Sequence, residues 1–440
     1  MSRLLIANRS EIALRVMRAA KSLGWTTLAV YSEADEKAPH VITADEAICI
    51  GPPRAQQSYA NSDALLQAAL KLKADYVHPG YGFLSENHQF ARSLVAHQIK
   101  WVGPSPDVIE QMGDKLAARQ LAEQANVPVI PGSLALVDTQ QAVHRANEIG
   151  YPLMLKAAAG GGGIGMQLIH NEQELKAHYD SLSKRAENLF GQGTLYLEKI
   201  IHHARHIEIQ LMADGQGHMA TYGERECSVQ RRHQKLIEEA PSPLVDEFLR
   251  QQMCDAALRL AKAVGYVNAG TVEFLVDEEK QFYFLEMNTR IQVEHAITEW
   301  ITSSDLVKMQ LQIAAGDPLP ASKPPHGHAL ECRVYAEDPD TLRPCPGTIE
   351  QVQFPQHEWL RIDHALAEAM AITPYYDALL AKISVYGEHR SEALQRMQQA
   401  LGETTLSGIK QNIPLLQKIL NDGDFQQGQY NTLIMHSYLK

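Results

Sequence analysis

The sequence predicts a chain of mixed α/β and α+β class that is divided into several parts. Strand-like and helix-like segments alternate over about the first 110 residues, which is typical of a doubly wound parallel sheet. A dense glycine cluster at residues 160–165, a strand-rich stretch over residues 205–301 and a proline-rich linker at residues 318–325 follow. The last 110 residues indicate a further α+β unit, and 440 residues exceed what one hydrophobic core usually supports.

Short apolar runs predict the strands of the first part at residues 4–7, 27–31, 75–78 and 100–102. We expect Asn8 or Ser10 to cap the first helix and Gly24 to end it. A GxGxxG pattern does not occur in this part, so the parallel sheet does not predict a dinucleotide site.

The charge and the cysteines argue against several classes of protein. A formal net charge of -12 argues against a protein that holds nucleic acid through its overall field. The five cysteines are scattered and lack a CxxC pair, so we expect no disulfide framework or structural zinc, and a cytoplasmic location. No run approaches the roughly 18 apolar residues of a membrane span, and no signal peptide is expected at the N-terminus.

A segment that runs from a lysine into glycines is the first candidate for chemistry. Strand-like residues 151–156 end in Lys156, and four glycines follow at residues 160–163. Glycine lets backbone N–H groups fold closely over phosphates, and Lys156 supplies a cation. No GKS or GKT follows, so this is not a Walker loop. A flexible surface loop is the alternative, although the flanking strands favour a phosphate site.

Two segments in which apolar and polar residues alternate are predicted as neighbouring strands, and together they place two glutamates opposite each other. A turn at residues 279–280 would place Glu273 opposite Glu286, with Asn288 beyond them. Like charges that face each other across strands destabilise a sheet, and a divalent cation removes that repulsion. Oxygen ligands of this kind suit Mg²⁺ or Mn²⁺. With a register one residue different, the two glutamates would face apart and form no metal site.

Two charged runs adjoin these elements. Residues 288–295 include Arg290, Glu294 and His295, a mixture that can orient an anion and move a proton beside a metal and phosphates. Residues 226–235 form a basic stretch that ends in Lys235 within an acidic chain. A solvated surface is the alternative interpretation of both runs.

Several stretches, in their order along the chain, resemble the biotin carboxylases, which are the ATP-grasp components of biotin-dependent carboxylases. The resemblance runs from residue 3 to the end of the chain and rests on HPGYGFLSEN (78–87), MGDK (112–115), GGGGIGM (160–166), EK (198–199), RHIEIQ (205–210), CSVQRRHQK (227–235), EMNTRIQVEH (286–295) and ECRVYAEDP (331–339). It implies an ATP-grasp fold with an N-terminal parallel-sheet domain at residues 1–113, an ATP-grasp domain at residues 114–330 with a lid at about residues 131–203, and a C-terminal α+β domain at residues 331–440.

The resemblance also implies a role for each matched residue. The implied ATP-binding residues are Lys115, Lys156, Gly162 and Gly163 at the phosphates, Glu198, Lys199 and Ile201 at adenine, and His206, Gln230 and His233 along the nucleotide site. The implied metal ligands are Glu273, Glu286 and Asn288. The implied bicarbonate-site residues are Lys235, Arg290, Gln292, Val293 and Glu294, and the implied biotin contacts are Arg333 and Tyr81.

The implied reaction uses ATP and bicarbonate to carboxylate biotin. Glu294 would accept the proton of bicarbonate while Arg290 and Lys235 hold the anion, and attack on the γ-phosphate would give carboxyphosphate. Mg²⁺ or Mn²⁺ and the lysines would neutralise charge as the phosphoryl group moves. Carboxyphosphate would then give CO2 and phosphate, the phosphate would deprotonate biotin, and Arg333 would stabilise the enolate-like oxygen.

The resemblance implies partners as well. A lysine between two methionines, usual in biotin carriers, does not occur, so we expect biotin on a separate biotin carboxyl carrier protein or domain, with a carboxyltransferase component. Ile164 and residues 373–382 are closer to urea carboxylases, whereas HQK and EMNTRIQVEH are closer to acyl-CoA carboxylases, so both acceptors stay open. A homodimer is compatible with the resemblance, and neither nucleic acid nor a membrane is expected. The rival functions are another ATP-grasp ligase that activates a carboxylate and a non-catalytic ATP-binding module.

Overall fold

The structure is a computed structural model that describes residues 1–159, 165–232 and 234–438. Gly162, Gly163 and Ile164 of the glycine cluster, and His233 of the basic stretch, lie outside the described residues. Among the helices of the described ranges, none is long and apolar enough to cross a membrane.

The strands, numbered in chain order, are β1 Arg3–Ile6, β2 Thr26–Tyr31, β3 Glu46–Cys49, β4 Tyr76–His78, β5 Lys100–Trp101, β6 Leu153–Ala157, β7 Met166–Ile169, β8 Leu195–Lys199, β9 Arg205–Ala213, β10 Met219–Arg231, β11 Gln234–Ala240, β12 Asn268–Val276, β13 Phe282–Asn288, β14 His328–Tyr335, β15 Gly347–Thr348, β16 Gln351–Gln353, β17 Leu360–His364, β18 Ala371–Ile372, β19 Leu379–Gly387 and β20 Thr405–Ser407.

The α-helices are α1 Ser10–Ser22, α2 Pro39–Thr43, α3 Ser62–Lys71, α4 His88–Ala96, α5 Pro106–Gly113, α6 Lys115–Gln124, α7 Thr139–Ile149, α8 Glu172–Phe190, α9 Glu247–Ala263, α10 His295–Thr302, α11 Leu306–Ala315, α12 Arg390–Glu403, α13 Ile413–Leu420 and α14 Gly423–Gln426. Short 3₁₀ turns occupy Glu33–Asp35, Ala55–Gln57 and Ile434–Ser437.

The N-terminal part contains the parallel sheet that the sequence predicts. Its strands lie in the order β3-β2-β1-β4-β5, and every pair is parallel. Leu4 and Ile6 of β1 pack with α1 on one face, and Leu5 packs with α3 and α4 on the other. Both faces are therefore covered, which explains why the strand runs are apolar without alternation.

The start of α1 differs from the sequence prediction. The helix begins at Ser10, and the residue before it, Arg9, makes no side-chain cap. Asn8 does not cap the helix either, because its amide donates to the carbonyl oxygens of Pro79 and Tyr81, each at 2.7 Å. Asn8 therefore holds the turn after β4. This turn lies at the carboxyl ends of β1 and β4, the edge where open α/β sheets bind ligands.

Strands β7, β6 and β8 form a separate antiparallel sheet with α7 and α8 packed on it. Leu153 and Leu155 of β6 are buried in the small core of this body, which lies within residues 131–203, the range expected to form the lid and called the lid below. Lys156 alternates to the opposite side of β6, because successive strand residues point to opposite faces. The lid therefore carries Lys156 on the side away from its own core.

An eight-stranded antiparallel sheet forms the centre of the molecule, in the order β13-β12-β9-β10-β11-β14-β19-β17. Strands β9 and β14 are buried along their whole length. The sheet continues past residue 330 through β14, β19 and β17, so it crosses the boundary expected between the second and third parts. Buried polar side chains from β9 to β14 meet as a result.

Candidate active site

Lys235 on β11 is the centre of a buried ionic cluster. Its Nζ donates to Glu208 Oε2 at 2.7 Å, Glu273 Oε1 at 2.9 Å and Glu294 Oε1 at 2.7 Å. The three carboxylates belong to β9, β12 and the residue before α10, and all are buried. Charges removed from water in this way need oppositely charged partners, and the ammonium group of Lys235 is such a partner for each carboxylate. The fold thus brings together Lys235, Glu273 and Glu294, which the sequence singled out separately.

Glu294 is completely buried and lies between two cations. Its Oε1 accepts from Lys235, and its Oε2 accepts from Arg333 Nη2 at 2.9 Å. Burial alone would raise the pKa of Glu294, but the charges of Lys235, Arg333 and Arg225 outweigh burial and hold this pKa well below its ordinary value. Glu294 is therefore a carboxylate at neutral pH, the state that a proton acceptor requires.

Arg333 on β14 joins Glu294 to a second buried carboxylate. Its Nη2 lies 2.5 Å from Glu238 Oε1, an ion pair that lacks hydrogen-bond geometry. Burial raises the pKa of Glu238 to about 7, although the charge of Arg333 opposes this shift. Arg333 therefore balances two carboxylates, in addition to lying at the position that the resemblance assigns to biotin.

The β12–β13 hairpin pairs the carboxylates as the sequence predicts, although its turn differs by one residue, because Val276 pairs with Phe282 and a bulge beside Glu273 corrects the register. Glu273 pairs directly with Glu286, and Thr271 pairs with Asn288. Burial raises the pKa of Glu286, and the facing charge of Glu273 raises it further. The interpretation with the glutamates on opposite faces is therefore wrong, and the two carboxylates do repel each other across the hairpin.

The predicted metal ligands differ in the number of hydrogen bonds that their oxygens already accept. The carboxylate of Glu286 has only charge interactions with the part of the chain that the structure describes. Glu273 accepts hydrogen bonds on both oxygens, including one from His206 at 2.7 Å and one from Asn288 at 2.8 Å. The amide oxygen of Asn288 accepts from Arg290 at 2.8 Å. Oxygen donors and the unrelieved repulsion of the glutamates together fit a divalent cation such as Mg²⁺.

Two further groups of buried side chains place potential ligand atoms within 4.8 Å of one another: His206, Glu208 and Glu273, and Glu208, Cys227 and Glu294. Lys235 already donates to carboxylates in both groups. A cation bound there would have to displace its ammonium group. The Glu273–Glu286 pair fits a metal better, because no cation among the described residues forms a hydrogen bond to the carboxylate of Glu286.

The turn after β13 carries the residues that the sequence associates with bicarbonate. Arg290 donates to Gln292 Oε1 at 2.6 Å and to Glu86 Oε2 at 3.2 Å. Glu86 Oε1 also accepts the backbone N–H of Thr289 at 3.2 Å, so Glu86 holds both the turn and its arginine. Gln292 donates to Glu273 at 2.9 Å. Sequence reasoning does not single out Glu86, although it belongs to the HPGYGFLSEN motif.

Lys115 and Lys156 lie close to each other, although one starts α6 and the other belongs to the lid. Lys156 forms an ion pair with Glu198 on β8, and Arg119 Nη1 lies 3.7 Å from the other oxygen of that carboxylate. Burial, followed by the charge of Lys156, lowers the pKa of Lys115. Two lysines that repel each other in this way are suited to an anionic ligand. Arg119 is a further cation that the sequence does not single out.

The other predicted nucleotide-site residues fall into two places. Lys199 is exposed and Ile201 is half-buried, and both lie at the end of β8. His206 and Gln230 lie in the ionic cluster instead, with Gln230 Nε2 3.2 Å from His206 Nδ1 and the other ring nitrogen of His206 on Glu273. The structure therefore brings His206 and Gln230 to the carboxylate hairpin and leaves Lys199 and Ile201 at the lid.

A cavity of about 350 Å³ opens beside the ionic cluster. Arg333 and Tyr81, the predicted biotin contacts, line it together with Arg290 and Val293, which are predicted bicarbonate contacts. The hydroxyl of Tyr81 donates to Glu11, another lining residue. The fold thus places both predicted sites on one cavity.

A second layer of buried residues supports the cluster. Arg225 on β10 is completely buried and pairs directly with Glu208 on β9. It donates to Glu208 Oε1 at 2.5 Å, Gln210 Oε1 at 2.8 Å and Thr298 Oγ1 at 2.9 Å. Glu208 is therefore fixed between Arg225 and Lys235. Sequence reasoning misses Glu208 and Arg225, because alternating polar residues do not reveal which strand neighbours they meet.

Models of known families match almost the whole chain. The biotin carboxylase N-terminal domain matches residues 1–109, the ATP-binding domain of the carbamoyl-phosphate synthase L chain matches residues 114–322, and the biotin carboxylase C-terminal domain matches residues 331–437. The chain is 51% identical to a biotin carboxylase of Halalkalibacterium halodurans, over 100% of this chain and 98% of that protein. It is also 51% identical to biotin carboxylase 2 of Bacillus subtilis, over 100% of both.

Solved structures give the same result. A biotin carboxylase from Campylobacter jejuni in a β,γ-ATP complex superposes with a TM-score of 0.97 at 44% identity, over 99% of this chain and 98% of that one. The biotin carboxylase domain dimer of 2-oxoglutarate carboxylase from Hydrogenobacter thermophilus, in complex with MgADP, ADP and bicarbonate, has a TM-score of 0.95 at 44% identity, over 99% and 97%.

Fold and site together define the ATP-grasp class of ligases, with a lysine-bearing lid beside an antiparallel sheet that carries the reacting groups. The full-length matches narrow the class. The chain belongs to the biotin carboxylase family and is an ATP-dependent carboxylating ligase.

Proposed function

We propose that this chain carries out the first half-reaction of a biotin-dependent carboxylase through the ionic cluster. ATP and bicarbonate give carboxyphosphate there, and biotin is then carboxylated. The observation that carries the proposal is Glu294, a completely buried carboxylate between Lys235 and Arg333. Burial of these charges costs free energy. The cost is understandable if the buried cations serve to bind an anionic substrate.

In the proposed first step, bicarbonate binds between Arg290 and Lys235, and Glu294 accepts its proton. Glu294 is a weak base while Lys235 and Arg333 hold its pKa low. The bicarbonate anion offsets these cations when it binds, so the basicity of Glu294 rises at the moment when the proton moves. The bicarbonate oxygen attacks the γ-phosphorus, the bond to ADP breaks, and carboxyphosphate forms.

In the proposed second step, carboxyphosphate separates into CO2 and phosphate. The phosphate accepts the ring N–H proton of biotin, and the nitrogen forms a bond to CO2. Arg333 lines the cavity and stabilises the enolate-like oxygen of biotin. Because Arg333 also contacts Glu294, it serves both steps.

We propose that ATP binds between the lid and the eight-stranded sheet. Lys115 and Lys156 neutralise its phosphates, and their mutual repulsion in this structure supports that role. The other residues assigned to ATP are Gly162 and Gly163 over the phosphates, Glu198, Lys199 and Ile201 at adenine, and His206, Gln230 and His233 along the site. The β,γ-ATP complex of the Campylobacter jejuni relative supports ATP as the nucleotide.

Glu273, Glu286 and Asn288 are the residues that would hold Mg²⁺, or Mn²⁺ in its place. The bound metal supplies charge neutralisation for the phosphates. Lys235 and His206 keep Glu273 ionised, whereas the carboxylate of Glu286 has no such partner in the described ranges. The MgADP in the Hydrogenobacter thermophilus relative supports this choice of metal.

The proposed biotin is carried by a biotin carboxyl carrier protein or domain, and a carboxyltransferase component completes the reaction. The proposed steps are the same whether the final acceptor is an acyl-CoA, urea or another compound. A homodimer is supported by the dimer of the Hydrogenobacter thermophilus domain.

Release of ADP by the purified chain should require bicarbonate and a divalent metal, and free biotin should accelerate it. The reason is that ATP cleavage on this account needs bicarbonate as its nucleophile. Chelation of the metal should stop the reaction, and added Mg²⁺ should restore it. Equal ADP release with and without bicarbonate contradicts the proposed function.

A further inference from the structure

A chain of contacts connects the cavity with the turn that carries Val293 and Glu294. The hydroxyl of Tyr81 donates to Glu11 Oε1. Lys382 Nζ lies 3.3 Å from the same oxygen and donates to the carbonyl oxygen of Val293 at 2.7 Å. Glu11 and Lys382 are both buried, so the contacts lie where electrostatic interactions are strong.

The members of this chain come from three parts of the fold. Glu11 belongs to α1 and Tyr81 follows β4, both in the N-terminal part. Val293 lies between β13 and α10, and Lys382 belongs to β19 of the C-terminal strands. Lys382 is therefore a point where all three parts meet next to the reacting groups.

Lys382 has a strand neighbour that could explain its burial, but that neighbour already has partners. Asp363 of β17 pairs with Lys382 in the sheet. Arg18 lies 2.5 Å from Asp363, and Arg361 lies 2.7 Å from it. Because Asp363 is neutralised by two arginines, the ammonium group of Lys382 is directed to Glu11 and to the carbonyl of Val293.

We infer that Lys382 is a positioning residue that couples occupation of the cavity by biotin to the bicarbonate turn. This inference rests on the proposed function. Biotin beside Tyr81 competes for the hydroxyl that now donates a hydrogen bond to Glu11. Glu11 then attracts Lys382 more strongly, and the hold of Lys382 on the Val293 carbonyl changes. Because Glu294 is the next residue, its position between its two cations changes with that hold.

The measurement is the ratio of ADP release rates with and without biotin, at saturating ATP, bicarbonate and biotin. The wild-type ratio should exceed one, and it should fall to about one in Tyr81→Phe, Glu11→Gln and Lys382→Met, because each removes one link. The double variant Tyr81→Phe/Lys382→Met should show no further fall, since residues that act as a unit are not additive. Lys382→Arg keeps a donor for Val293 and should retain part of the ratio.

Arg390→Met is the matched control. Arg390 forms a forked ion pair with buried Glu239 and does not contact the cavity-lining residues named above. Its loss should lower stability and leave the ratio unchanged. An unchanged ratio in Tyr81→Phe, which removes one hydroxyl and tests the chain even if Lys382→Met does not fold, overturns the inference. Equal slowing of both rates by Lys382→Met also overturns it, whereas a wild-type ratio of one contradicts the proposed function itself.

Discussion

Glu294→Gln should lower biotin carboxylation by about 10²- to 10⁴-fold, the usual cost of removing a general base. Glutamine has nearly the same size, but its amide does not accept the proton of bicarbonate. The KM for ATP should stay close to the wild-type value, because Lys115 and Lys156 do not contact Glu294. Steady-state ADP release and carboxybiotin formation, measured on the same samples, check both expectations.

Glu239→Gln is the control for this variant. Glu239 is also a buried carboxylate with cationic partners, but His328 and Arg390 are those partners and neither belongs to the ionic cluster. We expect lower resistance to urea and an unchanged rate. If Glu294→Gln keeps more than half of the wild-type rate, the proton of bicarbonate is accepted elsewhere.

Lys235→Met should lose activity and also destabilise the fold. It leaves Glu208, Glu273 and Glu294 facing one another without the ammonium group that contacts all three. Removal of one partner from a buried ionic group typically costs about 3–5 kcal/mol of unfolding free energy. Urea unfolding gives the change in stability, and the KM for bicarbonate gives the loss of anion binding in the fraction that folds.

Lys235→Arg separates the two effects. It keeps the positive charge among the three carboxylates, so most of the stability should return. The larger guanidinium places its donors differently, so the KM for bicarbonate should stay raised. Wild-type stability and an unchanged bicarbonate KM in Lys235→Met would show that the lysine neither balances the cluster nor holds the substrate.

The carboxylate hairpin is the part of the site that sequence reasoning predicts without a relative. The sequence predicts the pairing of Glu273 with Glu286, but the predicted turn at residues 279–280 is wrong by one residue, and a bulge beside Glu273 restores the pairing. The alternation of strands with helices also predicts the parallel N-terminal sheet, although its exposed edge strand β3, Glu46–Cys49, was not predicted. The resemblance supplies the roles of isolated residues such as Lys115 and Arg333, which have no local pattern of their own.

The supporting residues could not be predicted, because the fold alone makes their contacts. Glu86 meets Arg290 across 204 positions of the chain. Glu208 and Arg225 are partners on adjacent strands that share a register no short motif specifies. The expected helix cap is wrong at Asn8 for the same reason, since a distant turn takes up its side chain. Long-range pairing therefore sets the limit of what the sequence reveals.

The fate of the bicarbonate oxygens tests the central claim most directly. With bicarbonate labelled by ¹⁸O, cleavage of carboxyphosphate leaves the attacking oxygen on phosphorus, and CO2 carries away the other two. We predict one labelled oxygen in each inorganic phosphate released, in step with ADP and after correction for exchange with water. Unlabelled phosphate, whose fourth oxygen comes from water, would show that ATP is merely hydrolysed and would contradict activation of bicarbonate at this site.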